Sequence, residues 1–206
     1  MPSIRGTGIQ ASSAGSYTVS WPAGTVAGDT AIILAGGGFA PNVPIGWAVL
    51  NQLSGTNWNG AAFFRVLTAA DISTGHVTVT FAGTFDSTLA IVTLVGRFDF
   101  VEADFSRNGS GSTSITGVTT TSAGDFAIYF GSNRGASTDT CNRGTLKNQS
   151  NDLSAASGCL YIETSPAGSL TPTFSYSSAG TGNYQGTVVV NAVAAAASGG
   201  SYAFVS

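Results

Sequence analysis

The sequence predicts an all-β protein, an antiparallel β-sandwich of jelly-roll-like character built from two sequence-related halves. Three observations predict it. Short runs rich in β-branched and aromatic residues alternate with Gly/Ser/Asn/Thr turns along most of the chain. Long helical periodicity is absent almost everywhere. A Gly-Asp step also launches an apolar run twice, in "TVAGDTAIILAGGG" at 25–38 and "TTSAGDFAIYFGSN" at 120–133; Asp29 and Asp125 lie 125 − 29 = 96 positions apart.

In chain order, residues 1–16 are polar and Gly/Ser-rich and read as an extended N-terminal arm. Strands are expected near 17–21, 30–36, 48–53, 61–67, 76–81 and 89–95. In "HVTVTF" the residues Val77, Val79 and Phe81 alternate with His76, Thr78 and Thr80, so one face is apolar and the other wet. "LAIVTLV" is continuously apolar and reads as a central strand. "FDFVEADF" at 98–105 reads as a linker between halves, with docked aromatics and solvated carboxylates. Further strands are expected near 114–119, 125–131, 159–163, 171–175 and 186–192. The stretch between 133 and 157, rich in Gly, Ser, Asn and Asp, is either a functional loop or a hairpin. The sandwich domain is thus placed at 17–193, with halves at about 17–97 and 112–193, followed by a tail or edge strand at 194–206. An apolar tip in water is a liability, so Tyr202, Phe204 and Val205 are expected to make an assembly contact.

Composition narrows function. Of 206 residues 43% are hydrophobic, enough for one good core, but only 8% are charged, against about 25% in ordinary globular domains. A surface made of Ser, Thr, Asn and Gly has little charge repulsion to keep copies apart, which suits assembly. The net charge is −3 and the seven Lys and Arg are scattered singly. Nucleic-acid binding, which releases counterions through a basic stripe, is therefore not expected. Nor is membrane insertion, since no apolar stretch reaches a bilayer span. The opening residues have no apolar signal core, so export by a standard signal peptide is not expected.

The motifs that could carry chemistry have plainer structural readings. Gly36–Gly37–Gly38 follows a strand without the lysine or helix of a phosphate loop and reads as close packing at a strand end. His76 is the single histidine, with no nucleophile elbow to serve. Glu102 and Asp104 would share one face of an extended chain, the geometry a glycosidase pair would need. Asp139, Asn142, Asn151 and Asp152 lack the spacing of a calcium loop. Cys141 and Cys159 are read as reduced thiols, with a disulfide as the alternative. No catalytic residue, cofactor or metal is expected. Trp58, in "SGTNWNG" between Asn57 and Asn59, is the candidate aromatic contact for a partner or a glycan, against simple packing over the sandwich end.

Following the 96-residue offset, "YTVSWPAGTVAGD" meets "TSITGVTTTSAGD", and "TLAIVTLV" meets "QGTVVVNAV". The order "PAGTVAGD", "PIGW", "FFRVLTAAD", "VTVTF", "LAIVTLVGRF", then "ITGVTTTSAGDFAIYF", resembles a β-sandwich module common in tailed-phage structural proteins, from about Tyr17 to Ala192. The second-half counterpart of "PIGW" is missing. The resemblance implies a non-enzymatic virion component assembled in the host cytoplasm. The foremost expectation is a capsid decoration protein, bound with the major capsid protein or other virion proteins and homo-oligomeric, a trimer being natural. The alternative is a tail-fibre or adhesin module that binds a host-surface glycan.

Overall fold

The computed structural model describes residues 2–193 apart from 56–57, 109–113, 117–118, 120–123, 136, 152–155, 167–168 and 179–181. Tyr202, Phe204, Val205 and Asn57 lie outside the described residues. The strands are β1 (Ile4–Ser20), β2 (Thr30–Gly37), β3 (Ala48–Leu53), β4 (Asn59–Val66), β5 (His76–Leu94), β6 (Phe98–Asn108), β7 (Ser114–Thr116), β8 (Phe126–Arg134), β9 (Asp139–Cys141), β10 (Thr145–Asn151), β11 (Ala156–Thr164), β12 (Thr173–Tyr176) and β13 (Asn183–Ala192). One short helix, α1 (Ala69–Thr74), precedes β5.

The protein is an all-β antiparallel sandwich. Its first five-stranded sheet has the order β1-β5-β2-β4-β3, and its second β10-β11-β8-β13-β6. Read from the other edge, the second is β6-β13-β8-β11-β10, so each sheet uses the strands of one contiguous half in an equivalent order. A jelly roll distributes consecutive strands between its two main sheets, and this connectivity gives that part of the expectation no support. The strand 98–108 replaces the expected linker and forms the edge of the second sheet. The 133–157 stretch contains β9 and β10, which do not pair with each other: β9 pairs with β12, and β10 with β11, which begins at the end of the stretch.

The two sheets meet over the largest core. Ile32 and Leu34 of β2 point into it together with Ala90, Val92 and Leu94 of β5; Ile128, Phe130, Leu160, Ile162, Val188 and Val190 face them from the second sheet. Ala31, Ile33 and Ala35, the alternate residues of β2, pack on the outer side. This is why "TAIILAGG" is apolar without alternation: both of its faces are buried.

Each outer side carries its own cover. In the first half β1 and β5 run on past the sheet and fold over it. Between the pairs Ala14–Phe85 and Ser16–Thr80, Gly15 alone faces Phe81–Thr84, a register shift that bends the ribbon. Tyr17, Val77, Val79 and Phe81 then close a second core against Ile33, Phe63 and Ile91. In the second half the cover is a separate sheet, β7-β12-β9, placing Ile115, Phe174 and Tyr176 over Tyr129 and Val189. The expected N-terminal arm is corrected here: residues 4–14 pair with β5 along Leu94–Phe85 and form the sheet edge. Their polar, Gly/Ser-rich character fits an edge strand of partial burial.

Candidate functional site

The Gly-Asp steps are clasps. Asp29 Oδ1 accepts from the Gly96 amide (3.1 Å) and Oδ2 from the Val26 amide (3.0 Å). Asp125 Oδ2 accepts from the Ala192 amide at 2.7 Å. In both halves the carboxylate reaches 67 residues along the chain, to the end of the last strand: Gly96 lies two residues past β5 and Ala192 is the final residue of β13. The backbone repeats as well: Leu67 donates to the Asp29 carbonyl and Ser165 to that of Asp125, each at 2.8 Å. Each aspartate therefore ties the strand it launches to two neighbouring connections. Asp29 has an added partner in Arg5, with Nε at 3.0 Å from Oδ2. Burial works to raise its pKa, but Arg5 and the amides of Val26 and Gly96 outweigh burial and hold it below the ordinary value.

Four exposed valines lie on backbone tied to or next to the first clasp. Val26 donates to Asp29; Val66 pairs with Thr30; Val95 precedes the clasped Gly96; Val193 donates to the Arg97 carbonyl at 2.9 Å. Each is at least about a third exposed. Nothing in their local sequence marks them, because they come from four separate places in the chain, Val66 from the end of β4 and the others from connections.

Trp58 is not a surface aromatic. It is 1% exposed and belongs to the central core. The Asn59 side chain accepts from the Gly55 amide (2.8 Å) and donates to the Gly38 carbonyl (2.9 Å), building the turn that sends the indole inward. The packing alternative holds, and the expected contact through Trp58 and Asn59 is withdrawn. Glycine at 38 and 60 is required by close approach: a Cβ at Gly38 would meet the Phe85 ring at 1.9 Å and one at Gly60 the Tyr184 ring at 2.0 Å.

The other candidates separate. Asp104 hydrogen-bonds Glu102; burial first, then the Glu102 charge, raises its pKa. Such contact is closer than the roughly 5 Å that the narrower glycosidase geometry requires. Among the described residues no group of three His, Cys, Asp or Glu side chains is placed to hold a metal ion. Asn142 accepts from the Thr173 amide (2.8 Å) instead. Cys141 and Cys159 are both free; burial pushes the Cys141 thiol up to about 11 and raises Cys159 as well. Asp139 is buried under the second cover, its Oδ1 bonded to the Ser137 and Ser157 hydroxyls and its Oδ2 without a partner. Burial without a cation raises it to about 7, against the pull of the two hydroxyls. Among the described residues no helix is long and apolar enough to cross a membrane.

His76 is exposed, at the mouth of a cleft of about 440 Å³ on the first half. The turn from Val43 to Trp47 forms one side, with the Ile45 side chain 99% exposed, and β4, α1 and the start of β5 form the rest. Trp21 stacks on Trp47 at 6.4 Å, and its indole N–H donates to the Asp71 carbonyl. Comparison of the chain with protein-family models, with curated proteins and with solved structures finds no match.

Proposed function

We propose that this chain is a non-enzymatic structural protein of a tailed-phage virion, a decoration protein that docks on the outside of the head. The reading rests on the sequence resemblance over 17–192 and on the exposed valines near the first clasp. Val26, Val66, Val95 and Val193 are presented there by backbone that Asp29 and its neighbours hold in place. Exposed apolar side chains on a hydrogen-bonded backbone can bury area against a partner at a reduced ordering cost. The charge-poor surface, 8% of residues, supports the same reading, since few ions need to be desolvated at a contact. The major capsid protein is the proposed partner. We further infer that the two halves are copies of one unit, supported by their equivalent strand orders and equivalent clasps.

Sedimentation of the purified chain with expanded capsids tests the docking. The wild-type chain co-sediments at a fixed ratio to the capsid protein. The Val26→Glu/Val95→Glu variant, altered only at exposed positions, stays in the supernatant. Equal binding by both, or no binding by either, contradicts the proposal.

A further inference from the structure

The cleft on the first half brings aromatic, aliphatic and polar side chains to one exposed surface. Its wall includes the stacked pair of half-buried Trp21 and buried Trp47, and its rim is the exposed Ile45 on a turn where Gly46 has φ 79°. Arg65 braces the turn by donating to the Ile45 carbonyl (3.1 Å) and pairs with Asp71 at 2.9 Å. Asp71 Oδ2 is also fixed by the amide and hydroxyl of Thr68, while Oδ1 takes no hydrogen bond from a described residue. His76 and Thr78 stand on the opposite wall, exposed. The second half differs at the same register. Glu163 pairs with Ala127 as Arg65 pairs with Ala31, and Glu163 is tied by Arg143 (2.8 Å) and by the Tyr129 hydroxyl (2.7 Å).

We propose that this cleft is a carbohydrate subsite that takes a neutral pyranose unit. The C–H face of a sugar ring packs on an indole and an aliphatic rim, and its hydroxyls need mixed donors and acceptors at the edge. Here Asp71 Oδ1 accepts, the His76 ring does either, and the Thr78 hydroxyl, bonded to the Thr18 hydroxyl at 3.2 Å, keeps capacity for a further partner; the volume lies in the range of about 300–1,000 Å³ usual for small-molecule sites. Arg65 is neutralised by Asp71, so a phosphate or a sialic acid finds a carboxylate rather than a free cation. An apolar peptide would leave the polar wall without partners. The proposal does not rest on capsid docking, and it moves glycan recognition from Trp58 to a different surface.

The test uses the full chain and methyl glycosides of glucose, galactose, mannose, rhamnose and N-acetylglucosamine, followed by an array of neutral glycans. Binding is read by saturation-transfer NMR and by tryptophan emission. At least one sugar is expected to saturate with a dissociation constant of about 1 mM or tighter. His76→Ala and Thr78→Val, both at exposed positions, should each weaken it about fivefold, roughly 1 kcal/mol, with an unchanged melting temperature. Failure of every sugar to saturate overturns the proposal, as do variants that bind like the wild type. Capture of an apolar peptide by the cleft in place of any sugar also overturns it.

Discussion

The two halves of the molecule share a strand order and a clasp but close their outer faces with different chemistry. In the first half Pro41 bridges Phe81 of the cover, whereas in the second the cover pairs Asp139 with Tyr176. Where the first half carries Trp58 beside Asn59, the second carries Ala156 beside Ser157. In the first half the cover is one bent ribbon, continuous with the sheet, whereas in the second it is a sheet of its own. What must be kept for the fold is the backbone tie at the Gly-Asp step. The outer faces are free to differ, and the exposed cleft belongs to only one of the two versions.

The largest expected effect probes the shared core. Trp58→Ala should cost about 3–5 kcal/mol in urea unfolding, the usual loss for a large buried aromatic. A cost below about 1 kcal/mol would mean that the indole is a surface group after all. The clasps come next. Asp29→Ala strands the amides of Val26 and Gly96 and should cost about 2–3 kcal/mol, whereas Asp125→Ala loses the Ala192 bond and should cost about 1 kcal/mol. Equal losses would remove the asymmetry that Arg5 and burial give the first clasp.

Acid and base should separate the halves further. The Asp29 pKa is lowered in the fold, so its stabilisation is present above the unfolded value near 4 and is lost as pH falls through the lower folded value. The Asp139 pKa is raised to about 7, so the folded state holds the extra proton. Stability should therefore fall as pH rises from about 4 to about 7, by at most about 1.4 kcal/mol per unit, and level off above. Asp139→Asn should flatten that decline and leave the acid limb in place. A decline that persists in the variant would assign it to another group. The smallest effect is on labelling: at pH 8 neither thiol should react appreciably with iodoacetamide in the native chain, because burial raises both. Rapid modification of Cys159 would place it outside the second cover.

Much of the fold was legible, and the misses have physical causes. The strand at 48–53 has the bounds expected, and the doubly buried β2 showed itself by lack of alternation. The strand at 98–108 escaped because of a register shift between Val189 and Val190, opposite Glu102 and Phe100. The shift breaks the two-residue period, so Phe98 and Phe105 face the core out of phase. Helix α1 had a readable signature, the Thr68–Asp71 capping box and Gly75 in the left-handed conformation, hidden in what looked like a turn between strands. Trp58 misled because its polar neighbours describe the turn, while its burial depends on the second sheet. The cleft was illegible as a unit: His76 stood alone in the sequence, and only the folding of β5 over the sheet brings it to Trp47 and Asp71. The four exposed valines are likewise far apart in sequence.

Residue-resolved hydrogen exchange at the amides of Gly96 and Ala192 tests the equivalence of the two clasps most directly. Asp29→Ala should speed exchange at Gly96 at least about tenfold, the equivalent of about 1.4 kcal/mol, and leave Ala192 protected. Asp125→Ala should do the reverse. If each substitution leaves the amide 67 residues away unchanged, the Gly-Asp steps are not clasps, and their repetition has another cause.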